Sequence, residues 1–312
     1  MKSYGICPAS CGEFVQGFLD KEEYLSSYAI DMFSVATLEE RKENINLGPK
    51  KSRQAIKKVF ERFNIPLDEC KNISLDINSN IPVGKGMASS TADIGATIRA
   101  TLSILNKELS NEEISYIASQ IEPTDSILLY KNSIFNPING QVKKYLSNLD
   151  DGCVIILEPN DVLETSKIRS NPNYLNIKLE SKSIINKSFN LLEKGLKQKD
   201  LKLIGKACTL SSLANENIHK KPYLNDIIEI SDKMGAYGVN IAHSGTVAGI
   251  LIDNKMDHER IIRNLKENSL HEYYKKIYLS KIMGDKEREE IEWNILKTLK
   301  WLRLKALKLY KV

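Results

Sequence analysis

No stretch of this 312-residue chain approaches the about 18 consecutive apolar residues that cross a bilayer, which excludes a membrane-spanning role. The opening MKSYGICPAS lacks the apolar centre of a secretory signal, so the expected location is cytoplasmic. An excess of one charge is also lacking. The 45 basic and 40 acidic residues leave a formal +5, too even a balance for a nucleic-acid surface. Cysteine is sparse and odd in number: Cys7, Cys11, Cys70, Cys153 and Cys208 are widely spread and read as reduced thiols, not a disulfide framework. No other His/Cys pair has zinc-site spacing to join Cys7 and Cys11, and His219, His243, His258 and His271 stand apart in sequence. The two common phosphate loops, G-x-x-x-x-G-K-[ST] and G-x-G-x-x-G, are missing, as are internal repeats and low-complexity segments. What remains is a soluble globular composition, 42% hydrophobic and 27% charged. The length suits one large domain or two ordinary ones.

Against these absences, residues 82–105, PVGKGMASSTADIGATIRATLSIL, stand out. Gly84 and Gly86 permit backbone angles and close approaches that a side chain forbids. Ser89, Ser90 and Thr91 then fall where a helix should begin, and unpaired N–H groups at a helix start favour an anion. Ile94, Ile98, Leu102 and Leu105 give that helix its apolar face, while Ala92, Gly95, Ala96 and Ala100 keep it slim. An alternating Ile73, Leu75, Ile77 predicts a strand before the loop. Strand, glycine loop, hydroxyls and helix start together predict a phosphate cradle formed by Pro82, Val83, Gly84, Lys85, Gly86, Met87, Ala88, Ser89, Ser90 and Thr91. Glycines before a helix also make plain tight turns; the run of hydroxyl residues and the small-residue helix favour the cradle.

Other segments admit more than one reading. In YGICPASCGEFVQGFL, polar Ser10, Glu13 and Gln16 are threaded through apolar residues, as in a buried turn facing a cavity or in a bulged edge hairpin. Residues 28–47 read as strand ending in a charged hairpin around Glu39 to Asn44, and Ser52 to Asn64 as a helix stopped by Pro66. Ser110 and Glu113 have capping-box spacing for a helix whose stripe is Ile114, Ile117 and Ile121. It ends in IEPTDS, where Pro123 forces Glu122 and Asp125 out of helix. Those two carboxylates suit a metal ion, a general base or a solvated loop. Asp150-Asp151-Gly152 predicts a turn near a domain boundary at about residue 150, followed by a buried strand over Cys153 to Leu157. Leu175, Ile177 and Leu179 alternate as a strand; helical stripes follow at 183–197, 200–214 and 223–235. GAYGVNIAHSGTVAGILID, residues 235–253, predicts strand–turn–strand, either an ordinary hairpin or a turn that closely approaches a ligand. Residues 258–267 and 272–283 read as a last helix and strand. From Asp285 the chain reads as an amphipathic basic helix with a stripe of Ile291, Ile295, Leu299 and Leu302, suited to packing on the domain or on a second subunit.

Taken together, the CPASCGE opening, a P-x-x-x-G-x-x-S-S loop opening a helix and a late AHSGTVAG turn resemble the GHMP kinase superfamily over residues 5 to about 283. The usual loop ends G-L-G-S-S-A; here it reads Gly86-Met87-Ala88-Ser89-Ser90-Thr91. CPASCGEFVQG, KGMASSTAD and IEPTDS look like its L-threonine kinase branch, which serves cobalamin nucleotide-loop assembly. The resemblance implies an α+β fold of two domains: a ribosomal-protein-like N-terminal ATP-binding domain over 1–150 and a ferredoxin-like C-terminal domain over 151–284. The helix at 285–312 is extra to that fold. It also implies ATP and Mg²⁺ at the 82–91 loop, with Ser90 as the hydroxyl on the metal side and an amino acid as acceptor. Matching positions make Glu122 the candidate metal carboxylate and Asp125 the residue facing the acceptor hydroxyl. Their spacing is shorter than in mevalonate kinase, which leaves either as the ligand. Ser10, Glu13 and Gln16 are implied to meet the acceptor, Glu13 its ammonium group; His243, Ser244, Gly245 and Thr246 would touch the acceptor or the phosphates. The implied partners are L-threonine and ATP, with no membrane or nucleic acid, and the C-terminal helix is a possible dimer contact. The alternatives are a kinase for another small hydroxylated metabolite such as homoserine, or a non-catalytic ligand- or nucleic-acid-binding member of the fold.

Overall fold

A computed structural model describes residues 1–41, 48–149, 151–163 and 173–309, with side chains as far as 301. Its framework is two antiparallel sheets. The smaller joins β1 (Lys2–Ala9), β4 (Ile30–Glu40) and β5 (Ile73–Ser79) in the order β1-β4-β5. The larger also contains β2 (Glu13–Leu19), β3 (Glu22–Ser27), β6 (Ser133–Phe135) and β7 (Val142–Tyr145) from the first half of the chain. From the second half come β8 (Gly152–Glu158), β9 (Gly238–Ile241), β10 (Ala248–Asp253) and β11 (Lys276–Lys281). Their order is β11-β8-β10-β9-β2-β3-β6-β7, and a single register pair, Glu13 with Ile241, links the two halves.

The helices are α1 (Lys50–Arg62), α2 (Ser89–Leu105) and α3 (Asn111–Ser119), then α4 (Tyr174–Glu180), α5 (Lys182–Gln198) and α6 (Leu201–Asn215). They are followed by α7 (Leu224–Lys233), α8 (His258–Glu267) and α9 (Asp285–Leu309). The small residues of α2 have a packing reason. A Cβ on Gly5 of β1 would lie 2.0 Å from the Ala96 carbonyl oxygen and 2.4 Å from the Ala100 nitrogen. The helix therefore lies flush on β1, and its N-terminus is fixed relative to the turn after that strand. Ser110 and Glu113 form the predicted capping box at α3, with reciprocal bonds of 3.2 and 2.9 Å.

One expectation changes. The segment 174–180 is helix, not strand: Leu175 and Leu179 are exposed, while Tyr174 and Lys178, one turn apart, both bond to the buried Glu23 carboxylate. A buried carboxylate needs a cation more than the surface needs Leu covered. A helix brings positions 174 and 178 within one turn of each other, close enough to meet one carboxylate oxygen, where a strand would hold them about 13 Å apart. The opening segment, for which a buried turn and a bulged hairpin were both open, has the buried turn 10–12 between β1 and β2, which belong to different sheets. Strand β2 pairs with β3 with a register shift between Glu13 and Val15. Lys42 to Asn44 of the expected hairpin and Asp150 lie outside the described residues, as does the side chain of Leu302 that completes the C-terminal stripe. Among the described residues no helix is long and apolar enough to cross a membrane.

Candidate active site

The loop before α2 makes the wall of a cavity of about 710 Å³. Gly84 and Gly86 sit at φ +72° and +82°, and Ala88 caps α2 at φ +58°. Ala88 takes the left-handed conformation where glycine would be unstrained, so the turn is held against a local preference. Ser89, Ser90 and Thr91 form the first turn of α2, whose leading N–H groups have no intrahelical acceptor. Pro82, Val83, Gly84, Gly86, Met87, Ala88, Ser89, Ser90 and Thr91 all line the cavity.

Lys85 does not. Its buried ammonium donates to the carbonyls of Pro159, Asn160 and Asp161 at 2.7, 2.8 and 2.7 Å, using all three of its N–H groups. The late glycine turn completes this support. Thr246 and Val247 donate their N–H groups to the Lys85 carbonyl, and a Cβ on Gly245 would meet that carbonyl oxygen at 2.3 Å and Gly86 Cα at 2.4 Å. Gly245 and Thr246 therefore press on the back of the loop, and only Ser244 of the turn lines the cavity. Ser10, fully buried, also braces the loop: its N–H donates to the Met87 carbonyl at 3.2 Å.

The opposite wall is acidic. Glu122, Pro123, Thr124 and Asp125 line it, fixed by Thr124 N–H to the Pro137 carbonyl (2.9 Å) and Asp125 N–H to Thr91 Oγ1 (3.4 Å). Burial, together with the neighbouring charge of Glu13, pushes the Asp125 carboxyl up to about 7. Asp125 Oδ1 and Glu122 Oε1 are buried without a hydrogen-bond partner. These oxygens, with the Ser90 hydroxyl on the same cavity, fit a hard cation such as Mg²⁺. Among the described residues no cluster of three His, Cys, Asp or Glu makes an all-protein cage, so ligands from the substrate would have to complete the shell.

The floor comes from β2 and β3. Gln16 and Leu25 are cross-strand partners, both lining the cavity, with Glu13 opposite Ser27 further along. Glu13 is oriented by buried His243, whose N–H and Nδ1 lie 3.0 and 2.9 Å from Glu13 Oε2; Ser211 Oγ holds His243 Nε2 at 2.9 Å. His243 thus reaches the cavity only through Glu13. Gln16 donates to Glu23 at 2.7 Å and leaves its own Oε1 unpartnered. Two lysines escaped the sequence reading. Lys221 is buried behind the late turn, donates to the Gly245 carbonyl at 2.6 Å, and is pushed down to about 7 by burial. Lys51, in the first turn of α1, bridges Glu122 Oε2 at 2.5 Å and Ser90 Oγ at 3.4 Å. Its signal was available in the sequence: α1 opens with Lys50, Lys51 and Arg53 and no acid, against the helix dipole.

The model of the GHMP kinases N terminal domain matches residues 50–128, and that of the GHMP kinases C terminal domain matches residues 192–269. The chain is 31% identical over 278 residues to an L-threonine kinase of Salmonella typhimurium, covering 89% of this chain and 92% of that protein. It is 29% identical to an L-threonine kinase of Citrobacter freundii, covering 85% and 91%. In fold it is similar to a homoserine kinase structure from Cytophaga hutchinsonii, with a TM-score of 0.70 at 17% identity over 91% of this chain and 96% of that one.

Proposed function

The chain belongs to the GHMP kinase family and has its two-domain fold plus a C-terminal helix, and from that premise we propose that it phosphorylates the side-chain hydroxyl of L-threonine with ATP. The reading of the site is carried by one observation. A buried carboxyl raised to about 7, Asp125, shares a cavity with a glycine loop that ends at a helix N-terminus. The choice of threonine is supported by the L-threonine kinases that match most of the chain.

In this reading the N–H groups of Gly84 to Ser89 and the start of α2 hold the nucleotide phosphates. The threonine oxygen forms a bond to the γ-phosphorus as the bond to the β–γ bridging oxygen breaks and that oxygen keeps the electron pair, leaving ADP. The hydroxyl proton passes to Asp125 as the new bond forms. A threonine hydroxyl is too weak an acid to ionise beforehand, so an acceptor of proton affinity near working pH is worth about 10²–10⁴-fold. Most of the remaining catalysis is positioning and charge stabilisation. Glu122 and Ser90 would hold Mg²⁺, which when bound neutralises charge on the phosphate oxygens. Glu13, held by His243, faces the acceptor's ammonium group, and Gln16 Oε1 offers it a second acceptor.

Purified protein with ATP, Mg²⁺ and single acceptors tests this. Phosphorylation of L-threonine over homoserine, L-serine and mevalonate is expected. Transfer to homoserine or mevalonate with none to threonine would overturn the choice of acceptor while leaving a kinase.

A further inference from the structure

Charge around the cavity is oddly distributed for a site that takes a polyanion. Among the described lining residues are three carboxylates, Glu13, Glu122 and Asp125, and one basic side chain, Lys51. Lys85 is spent on three carbonyls and Lys221 on the Gly245 carbonyl. The partial charge of a helix N-terminus, about half an elementary charge, does not offset three carboxylates.

Resting on the kinase reading above, we propose that Lys51 is the side-chain cation that grips the γ-phosphoryl group, exchanging Glu122 for phosphate oxygens when nucleotide enters. Three observations support the exchange. Lys51 touches Ser90 and Glu122, the two groups at the junction of the phosphate loop and the acidic wall, so its ammonium already lies where the terminal phosphate must pass. The Lys51 side chain is half exposed while Glu122 is largely covered, so it is the lysine that is free to swing from the carboxylate to a phosphate oxygen. Finally, α1 places Lys51 in its first turn with no acid beside it. That turn has no local electrostatic reason to be basic: Arg53 is used on the Ile73 and Cys70 carbonyls, and Lys50 is exposed. A lysine there is explained by what it reaches across the cavity. As a point charge with three rotatable donors, it can follow the phosphoryl group without the fixed geometry a guanidinium would demand.

The test is nucleotide binding without acceptor, so that chemistry does not enter. Calorimetric titration of the full chain with Mg·ATP and with Mg·ADP is compared for wild type, Lys51→Ala, Lys51→Arg and Lys50→Ala, with melting curves confirming that each is folded. Lys51→Ala is expected to weaken ATP at least about tenfold, or about 1.4 kcal/mol, and ADP less than about threefold. Lys51→Arg, which keeps the charge but not the freely turning ammonium, should recover part of the ATP affinity, and Lys50→Ala, which removes the same net charge one residue away, should change neither. Unchanged ATP affinity in Lys51→Ala, or an equal loss for ATP and ADP, would overturn the assignment alone. A wild-type chain that binds no ATP would overturn the kinase reading and the assignment with it.

Discussion

Two buried ionic clusters lie a few residues apart on one stretch of chain, and they are built on opposite rules. At 122–125 the carboxylates of Glu122 and Asp125 each leave an oxygen without a partner, and burial beside Glu13 pushes Asp125 up to about 7. At 128–130 nearly everything is matched. Arg99 donates to the Ile6 and Leu128 carbonyls, and Arg288 to the Leu129 carbonyl and Glu292, while Tyr130 donates to Glu292. Only Arg288 Nη2 lacks an acceptor, and that guanidinium lies 4.2 Å from the Tyr130 ring centre. There Glu292 is held below the usual carboxylate range, its burial outweighed by Arg288 and Arg99. Unmatched charge lies in the cavity proposed as the active site, and matched charge where α9 is bolted to the segment that carries Asp125. The C-terminal helix is in this respect a strut behind the candidate active site.

The largest effect that would break this contrast is at Asp125. Asp125→Asn is expected to lower kcat about 10²–10⁴-fold in the acceptor assay, since the asparagine cannot take the hydroxyl proton. It should also stabilise the fold at pH 8. The folded carboxyl holds its proton up to about 7 whereas an unfolded one releases it near 3.8, so stability falls as pH rises through that window. Removing the group removes a penalty on the order of 2–4 kcal/mol above pH 7 and none below pH 4. Melting temperatures at pH 5 and pH 8 check it; a variant less stable than wild type at pH 8 would mean that Asp125 is matched after all.

The matched cluster should behave in the other way. Arg288→Met leaves Glu292 buried with Arg99 at 3.8 Å as its remaining cation. A loss toward the lower end of about 3–5 kcal/mol is expected in denaturant unfolding, and Arg288→Met with Glu292→Leu should recover part of it. Gly245→Ala should act on the loop: its Cβ has no room against Lys85 and Gly86, so kcat/KM for ATP should fall about tenfold or more, with a smaller change in melting temperature.

The parts of this picture legible in sequence share a cause. The loop and the helix it opens were legible because glycine, serine and a helix start are local chemistry, and the turn at IEPTDS because Pro123 breaks the helix where the carboxylates sit. The α4 segment misled because alternating Leu175, Ile177 and Leu179 look like a buried strand face, when the buried partner was a distant carboxylate, Glu23. Ser10 was expected at the acceptor and Gly245 and Thr246 at the acceptor or the phosphates, whereas all three pack against the loop from behind; one sequence carries no information on sides. Lys51 hid among ordinary surface lysines, although its place at a helix N-terminus was the clue. The Arg99–Arg288–Glu292 cluster was beyond reach, since it joins α2 to a helix read only as amphipathic and basic, nearly two hundred residues away.

The smallest expected effect decides what keeps Asp125 protonated. Burial is the larger cause and the charge of Glu13 the second. Glu13→Gln preserves an oxygen for the His243 N–H, so the floor keeps its main tie while one negative charge disappears. Without that neighbour the Asp125 carboxylate is easier to form, and its pKa must move down. The base is active when deprotonated, so the acid limb of kcat/KM, expected near pH 7 in the wild type, should shift to lower pH by less than about one unit. The limb should stay well above the pKa of a free carboxyl, because the burial remains. A pH–rate profile of the two proteins reads the shift directly. If Glu13→Gln returned the limb to the ordinary carboxylate range, crowding of like charges would be the device at 122–125; a limb that does not move leaves desolvation alone, and Glu13 would then serve the acceptor and not the base.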